Sequence, residues 1–195
     1  EVGVFISGDL INQIISSSFA ARTIGIPYLG IYGACSSSME GLIIAASLVD
    51  GQKVRYVLTG ASSHNNSAER QYRYPNEYGA QKPPTSQWTV TGAGVCLLAS
   101  EGQGPKVTAA TIGRIVDMGI TDPFNMGAAM APAAVDTIET HFKDLGRGPD
   151  YYDLIVTGDL GAVGHKIALD KFKEKGININ ENIFKDCGMM IYDRE

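Results

Sequence analysis

The sequence predicts an α/β fold with a parallel sheet, made of two similar halves. Three observations carry that prediction. From Val2 to Gly60, short apolar, β-branched runs alternate with helical stretches, an order that implies parallel strands joined by crossover helices. The hexamer Phe5-Ile6-Ser7-Gly8-Asp9-Leu10 returns as Ile155-Val156-Thr157-Gly158-Asp159-Leu160, each copy ending a strand before a helical segment. Between the copies lies an elbow, Gly33-Ala34-Cys35 followed by Ser36 to Ser38, where a strand run meets a helical pattern.

Taken in order, Val2 to Ser7 reads as a buried strand. Asn12 is a candidate cap for a helix from Gln13 to Ile24, closed by Gly25 and Pro27. Tyr28 to Tyr32 is the second strand, the helix after the elbow runs to about Val49, and Tyr56 to Gly60 is the third strand. Ala61 to Trp88 reads as a long polar and aromatic loop broken by Pro75, Pro83 and Pro84, of the kind that carries function. Its aromatic residues, Tyr72, Tyr74, Tyr78 and Trp88, favour an ordered lid or interface. Thr89 to Ser100 returns to a strand, with Cys96 expected in the core. After a boundary at Glu101 to Pro105, the expected elements are a strand over Lys106 to Val116, a connection over Thr121 to Pro132 and a helix over Ala133 to Leu145. A strand over Leu154 to Thr157, a helix over Ile167 to Lys175 and a strand-like run at Met189 to Tyr192 complete the chain. The halves are then 1–105 and 106–195. The duplication, the strand-like start at Glu1 and the abrupt end lead us to expect an internal fragment of a longer protein.

A net charge of −5 and a pI near 5.2 argue against a chain-wide nucleic-acid or anionic-membrane role. The three cysteines, Cys35, Cys96 and Cys187, form no CxxC pair or Cys/His cluster, which argues against a zinc site and a disulfide framework. No apolar run approaches the ~20 residues of a membrane span, and no signal peptide opens the chain.

The chemistry concentrates at Cys35. A thiol at a helix start lies near unpaired N–H groups and the positive end of the dipole, which favours thiolate. Gly33 permits a sharp turn, and Ser36 to Ser38 are candidate caps. Two readings stand side by side: a nucleophile that takes an acyl group as a thioester, or a small buried apolar residue. His64 follows the third strand, beside the elbow in a parallel sheet, and is a candidate donor or base. Asp9 and Asp159 end equivalent strands and can reach a central cavity, or simply serve turns. His141 sits near a helix C-terminus, where the dipole favours a cation.

GACSSSMEG, the long stretch from Ser62 to Gly94, NMGAAMAPAA and the duplicated unit together resemble the thiolase-like superfamily of condensing enzymes. Within it, the chain is similar to a family of sporulation proteins. The resemblance implies a thiolase-like αβαβα layered fold of two duplicated halves, with Cys35 at the nucleophile position. In condensing enzymes a histidine at the end of the equivalent second-half strand assists thioester chemistry. Here that strand end carries Asp159, with His165 a few residues later in the next helix. The enzymatic alternative, an acyltransferase or ketoacyl synthase using Cys35, therefore lacks one expected partner. The sporulation resemblance implies binding of pyridine-2,6-dicarboxylic acid (dipicolinic acid), with calcium as part of the chelate. It also implies action beside a membrane channel complex of the developing spore, as a peripheral protein on the cytoplasmic face of the inner membrane. A homodimer is compatible with that family. The expected ligand-binding residues are Gly33, Cys35, Ser36, His64, Arg70, Arg73, Lys82, Asp159 and His165. Arg70, Arg73 and Lys82 would pair with carboxylates, although Glu69 and Glu77 offer the arginines nearer partners.

Overall fold

In a computed structural model the chain is described over residues 1–72, 84–87 and 89–192. It divides into two compact units, Glu1–Tyr74 with Thr89–Thr108 and Pro75–Trp88 with Ala109–Glu195.

The first unit runs β1 (Val4–Asp9), α1 (Ile15–Ile24), β2 (Tyr28–Ile31), a 3-10 turn (Ala34–Ser36), α2 (Ser37–Asp50), β3 (Tyr56–Ser63), α3 (Asn65–Tyr72) and β4 (Gly92–Ala99). Its sheet has the order β2-β1-β3-β4. β1 pairs in parallel with β2 and β3, and β4 closes the sheet antiparallel to β3. All six residues of β1 are buried, as the apolar run predicts for a central strand. Val4 and Ile6 pack with Ala45 and Val49 of α2 and Val57 of β3. Gly41 lets α2 lie close on the sheet, since a Cβ there would collide with the Thr59 hydroxyl.

The second unit contains α4 (Met126–Leu145), a 3-10 turn (Pro149–Tyr151), β5 (Ile155–Thr157), α5 (Gly161–Glu174) and β6 (Phe184–Asp186). β5 and β6 are parallel. The core joins Ala131 and Val135 of α4 to Leu160, Ala168 and Phe172, and to Phe184. Gly127 and Gly164 meet where α4 approaches α5, a Cβ on Gly127 lying 2.9 Å from the Gly164 nitrogen.

The hexamer echo extends into the strand pairing. Phe5 pairs with Tyr28 and Ser7 with Gly30 across β1 and β2; Ile155 pairs with Phe184 and Thr157 with Asp186 across β5 and β6. Each half is thus strand–helix–strand, with the first residue of the hexamer opposite an aromatic residue.

Several expectations are corrected. Lys106 to Val116 forms no strand. The part from residue 109 lies along α4, with Thr111 Oγ1 2.8 Å from His141 Nδ1 and Arg114 gripping Asp136 at 2.7 and 2.9 Å. Its β-branched residues suit a strand, but no strand pairs with it among the described residues. The α4 helix begins seven residues earlier than Ala133 and includes Pro132. Proline removes one helical hydrogen bond, and close packing of Gly127 and Ala131 against neighbours outweighs that loss. α5 likewise starts at Gly161 rather than Ile167: Gly161, at φ 69°, opens the helix close against the Ser86 carbonyl, and Gly164 meets Gly127 of α4. Residues 65–72 of the expected loop are helical, tied down by Asn65 donating to the Thr89 carbonyl and the Thr91 hydroxyl. Asn12 does not cap α1; Ile14, at φ 44°, takes the N-cap place. Met189 to Tyr192 follows β6 as turns, and Cys96 is exposed on β4. Burial nevertheless pushes the Cys96 thiol pKa up. Tyr74, Tyr78 and Trp88 lie outside the described residues. Among the described residues, no helix is long and apolar enough to cross a membrane.

Thr59 is fully buried in β3, and its hydroxyl has no hydrogen-bond partner. A buried donor left unmade costs more than a methyl of the same shape. Thr59→Val should therefore stabilise the protein by about 1 kcal/mol and raise the unfolding temperature by roughly 2–4 °C. A fall in that temperature, measured by calorimetry, would contradict the packing described.

Candidate functional site

The carboxyl ends of β1, β2 and β3 lie side by side in the first unit, and this is where parallel sheets bind ligands. β2 ends at Ile31, and the chain then turns through Tyr32 and Gly33 into the 3-10 turn that holds Cys35. Ala34 has φ 48°, a left-handed conformation that costs a residue with a Cβ about 1 kcal/mol or more. The turn is held by its own polar groups. The Ser36 N–H and hydroxyl both donate to the Gly33 carbonyl, at 2.9 and 2.7 Å. The Ser37 hydroxyl donates to the Ala34 carbonyl at 2.9 Å and accepts from the Gly33 N–H at 3.1 Å. The serines thus brace the elbow instead of capping α2 from the N-cap position, where Ser36 makes no side-chain cap bond.

Cys35 is exposed, so the buried-apolar reading of this thiol does not hold. Glu40, in the first turn of α2, reaches back beneath the elbow. A Cβ on Gly33 would lie 2.7 Å from Glu40 Oε2, which is buried without a hydrogen-bond partner, and 2.5 Å from Ser36 Oγ.

At the end of β1, Asp9 is fully buried. Its carboxylate accepts from the Ile11 N–H at 3.1 Å and from the Ser62 hydroxyl at 2.8 Å. His64 Nε2 lies 3.8 Å from Asp9 Oδ2 and 2.5 Å from the Ser16 hydroxyl. One imidazole nitrogen faces both groups. A nucleophilic relay uses the two nitrogens separately, so Ser16, His64 and Asp9 do not form a serine-hydrolase triad. The partnership of Ser16 with His64 had no signal in the sequence.

The second unit holds the other two described candidates. The Asp159 carboxylate lies against Gly188, close enough that a Cβ there would collide with it. The His165 ring stacks on Phe184 with centroids 4.9 Å apart, and its Nε2 lies 3.1 Å from the Phe184 carbonyl. The sequence reading missed Asp186, which is almost fully buried. Its carboxylate accepts from the N–H groups of Leu160 at 2.7 Å and Met189 at 3.0 Å. Only its place opposite Thr157 in the duplicated register distinguishes it. Gly33, Cys35 and Ser36 are therefore brought together, with His64 in the same unit. Arg73 and Lys82 lie outside the described residues, as does the side chain of Arg70. Among the described residues, no group of three or more His, Cys, Asp or Glu is placed to hold a metal ion.

The family model for stage V sporulation protein AD matches residues 1–195. The chain is 50% identical over 192 residues to the stage V sporulation protein AD of Bacillus subtilis (strain 168), covering 98% of this chain and 56% of that one. It spans little more than half the length of that curated relative. Among solved structures, it is similar to 3-oxoacyl-[acyl-carrier-protein] synthase III of Aquifex aeolicus VF5, with a TM-score of 0.65 and 14% identity over 95% of this chain and 61% of that one. It is also similar to Xanthomonas campestris OleA with bound lauric acid and lauroyl-CoA, with a TM-score of 0.68 and 12% identity over 96% and 62% of the two chains. At such identities these structures show the fold, which is thiolase-like.

The crowding at Gly33 gives a direct test. Gly33→Ala should cost about 1–3 kcal/mol and change the rate at which iodoacetamide labels Cys35, read by peptide mapping. Unchanged stability and labelling would mean that Glu40 and Ser36 are not held against the turn.

Proposed function

The chain belongs to the stage V sporulation protein AD family, and we propose that it binds dipicolinic acid at the Cys35 elbow and assists its uptake into the developing spore. The observation that carries this reading is the accessible thiol on a strained, serine-braced turn, at the strand ends of a thiolase-like fold. Such a turn presents a preorganised pocket edge whether or not chemistry follows. Gly33, Cys35 and Ser36 would form the pocket floor, and His64 would add a hydrogen-bonding group from the end of β3. Arg70, Arg73 and Lys82 would supply charge for the carboxylates. Asp159 and His165 remain candidates from the second half. Calcium, where present, would enter as part of the ligand chelate. The protein would act peripherally, beside the membrane proteins of the spore channel complex, as a monomer or a homodimer.

Cys35 also favours one second reading. An exposed thiol at the start of a helix is where condensing enzymes carry an acyl group, so an acyltransferase activity is the alternative. Titration calorimetry of the full-length protein with dipicolinic acid, with and without calcium, separates the two. Saturable binding that weakens about tenfold in Cys35→Ala (~1.4 kcal/mol), with no acylation of Cys35 by acyl-CoA in mass spectrometry, is expected. A stable acyl adduct on Cys35 and no heat with dipicolinate would favour the enzyme.

A further inference from the structure

A chain of two phenols ends beside the elbow. Tyr32, three residues before Cys35, is partly exposed at 43%. Its hydroxyl lies 2.8 Å from that of Tyr72, the last residue of α3. The Tyr72 hydroxyl in turn donates to the Leu10 carbonyl, just beyond β1, at 2.7 Å. The distance between the two phenols does not by itself say which one donates. A phenol has one proton, and a carbonyl has none to give. Because the Tyr72 proton goes to Leu10, Tyr32 must donate to Tyr72. What Tyr32 retains for a ligand is the acceptor capacity of its oxygen.

We propose that Tyr72 is a positioning residue for the elbow, fixing the Tyr32 hydroxyl as a hydrogen-bond acceptor beside Cys35, so that the ligand group met there must be a donor. Tyr72 is suited to the part. Burial pushes its pKa far above the tyrosine range, and the charges of Cys35 and Asp9 act in the same direction. It therefore keeps its proton at any physiological pH. The donor chemistry selected is an N–H or O–H, whether a proton on the ligand itself or a water bound to a divalent cation. This inference rests on the reading that the ligand lies at the elbow.

The test is a double-mutant cycle in the full-length protein: wild type, Tyr32→Phe, Tyr72→Phe and the double variant. Each is titrated with dipicolinic acid alone and with calcium, at two pH values. Each single variant should bind about fivefold more weakly, the size of one neutral hydrogen bond. The double variant should bind no more weakly than Tyr32→Phe, because Tyr72 acts through Tyr32. An effect confined to the calcium arm assigns the donor to metal-bound water; an effect without calcium that fades at the higher pH assigns it to the ligand's own proton. Multiplicative losses, or a Tyr72→Phe variant that binds like wild type, overturn the proposal. If the wild type binds in neither arm, the dipicolinate reading falls by itself. The cycle is then read from the rate at which iodoacetamide labels Cys35, where the same non-additive pattern is expected and additive or absent effects overturn it. Tyr151→Phe, an exposed tyrosine of the second unit, should change neither readout.

Discussion

The first unit depends on how the buried end of β1 satisfies its charge. Asp9 has no exposed surface, and an unpaired carboxylate in such a place would be costly. It is held instead by the Ile11 N–H, which sets the path of the chain toward α1, and by the Ser62 hydroxyl, which ties in β3. The neighbouring His64 bonds to Ser16 on α1. One carboxylate therefore fixes the relative positions of two strand ends and the start of a helix. The elbow stands on β2 beside that arrangement, and α3 is tied to the same region by Tyr72 on Leu10.

Much of this was legible in the sequence because the signals are local. β1, β2 and β3 follow from apolar runs of strand length, and the elbow from a glycine and a thiol where the pattern changes period. What was not legible depends on tertiary partners. Residues 65–72 look like a polar loop, whereas bonds from Asn65 to Thr89 and Thr91, far along the chain, anchor their helical start. Pro132, Gly161 and Gly164 read as helix breakers, whereas a helix pair meeting at Gly127 and Gly164 needs small residues there. Cys96 sits in an apolar run that suggests a core, but it lies on the outermost strand of its sheet.

The two halves show how a repeated backbone comes to carry different chemistry. Their strand pairings keep the same register, yet the buried carboxylate has moved. In the first half it belongs to Asp9, at the end of β1. In the second it is Asp186, one strand over, which holds the Leu160 N–H. Asp159, the direct counterpart of Asp9, is only partly buried and rests against Gly188. Equivalent positions in a duplicated fold are thus not interchangeable, and roles are better assigned from hydrogen bonds than from the repeat.

The antiparallel strand β4 has a colloidal consequence. It presents Val95 and Leu97 at more than half exposure, with Cys96 between them, along one edge of the sheet. An open strand edge with apolar side chains is a template for another strand, and where dissolved oxygen or peroxide takes up the two electrons, the thiols of two such edges can join as a disulfide. Solutions of this chain are therefore expected to associate with rising concentration and to need a reducing agent to stay dispersed. A charged side chain at position 95 or 97 is the remedy the geometry suggests, since it would oppose edge pairing while leaving the buried strands untouched.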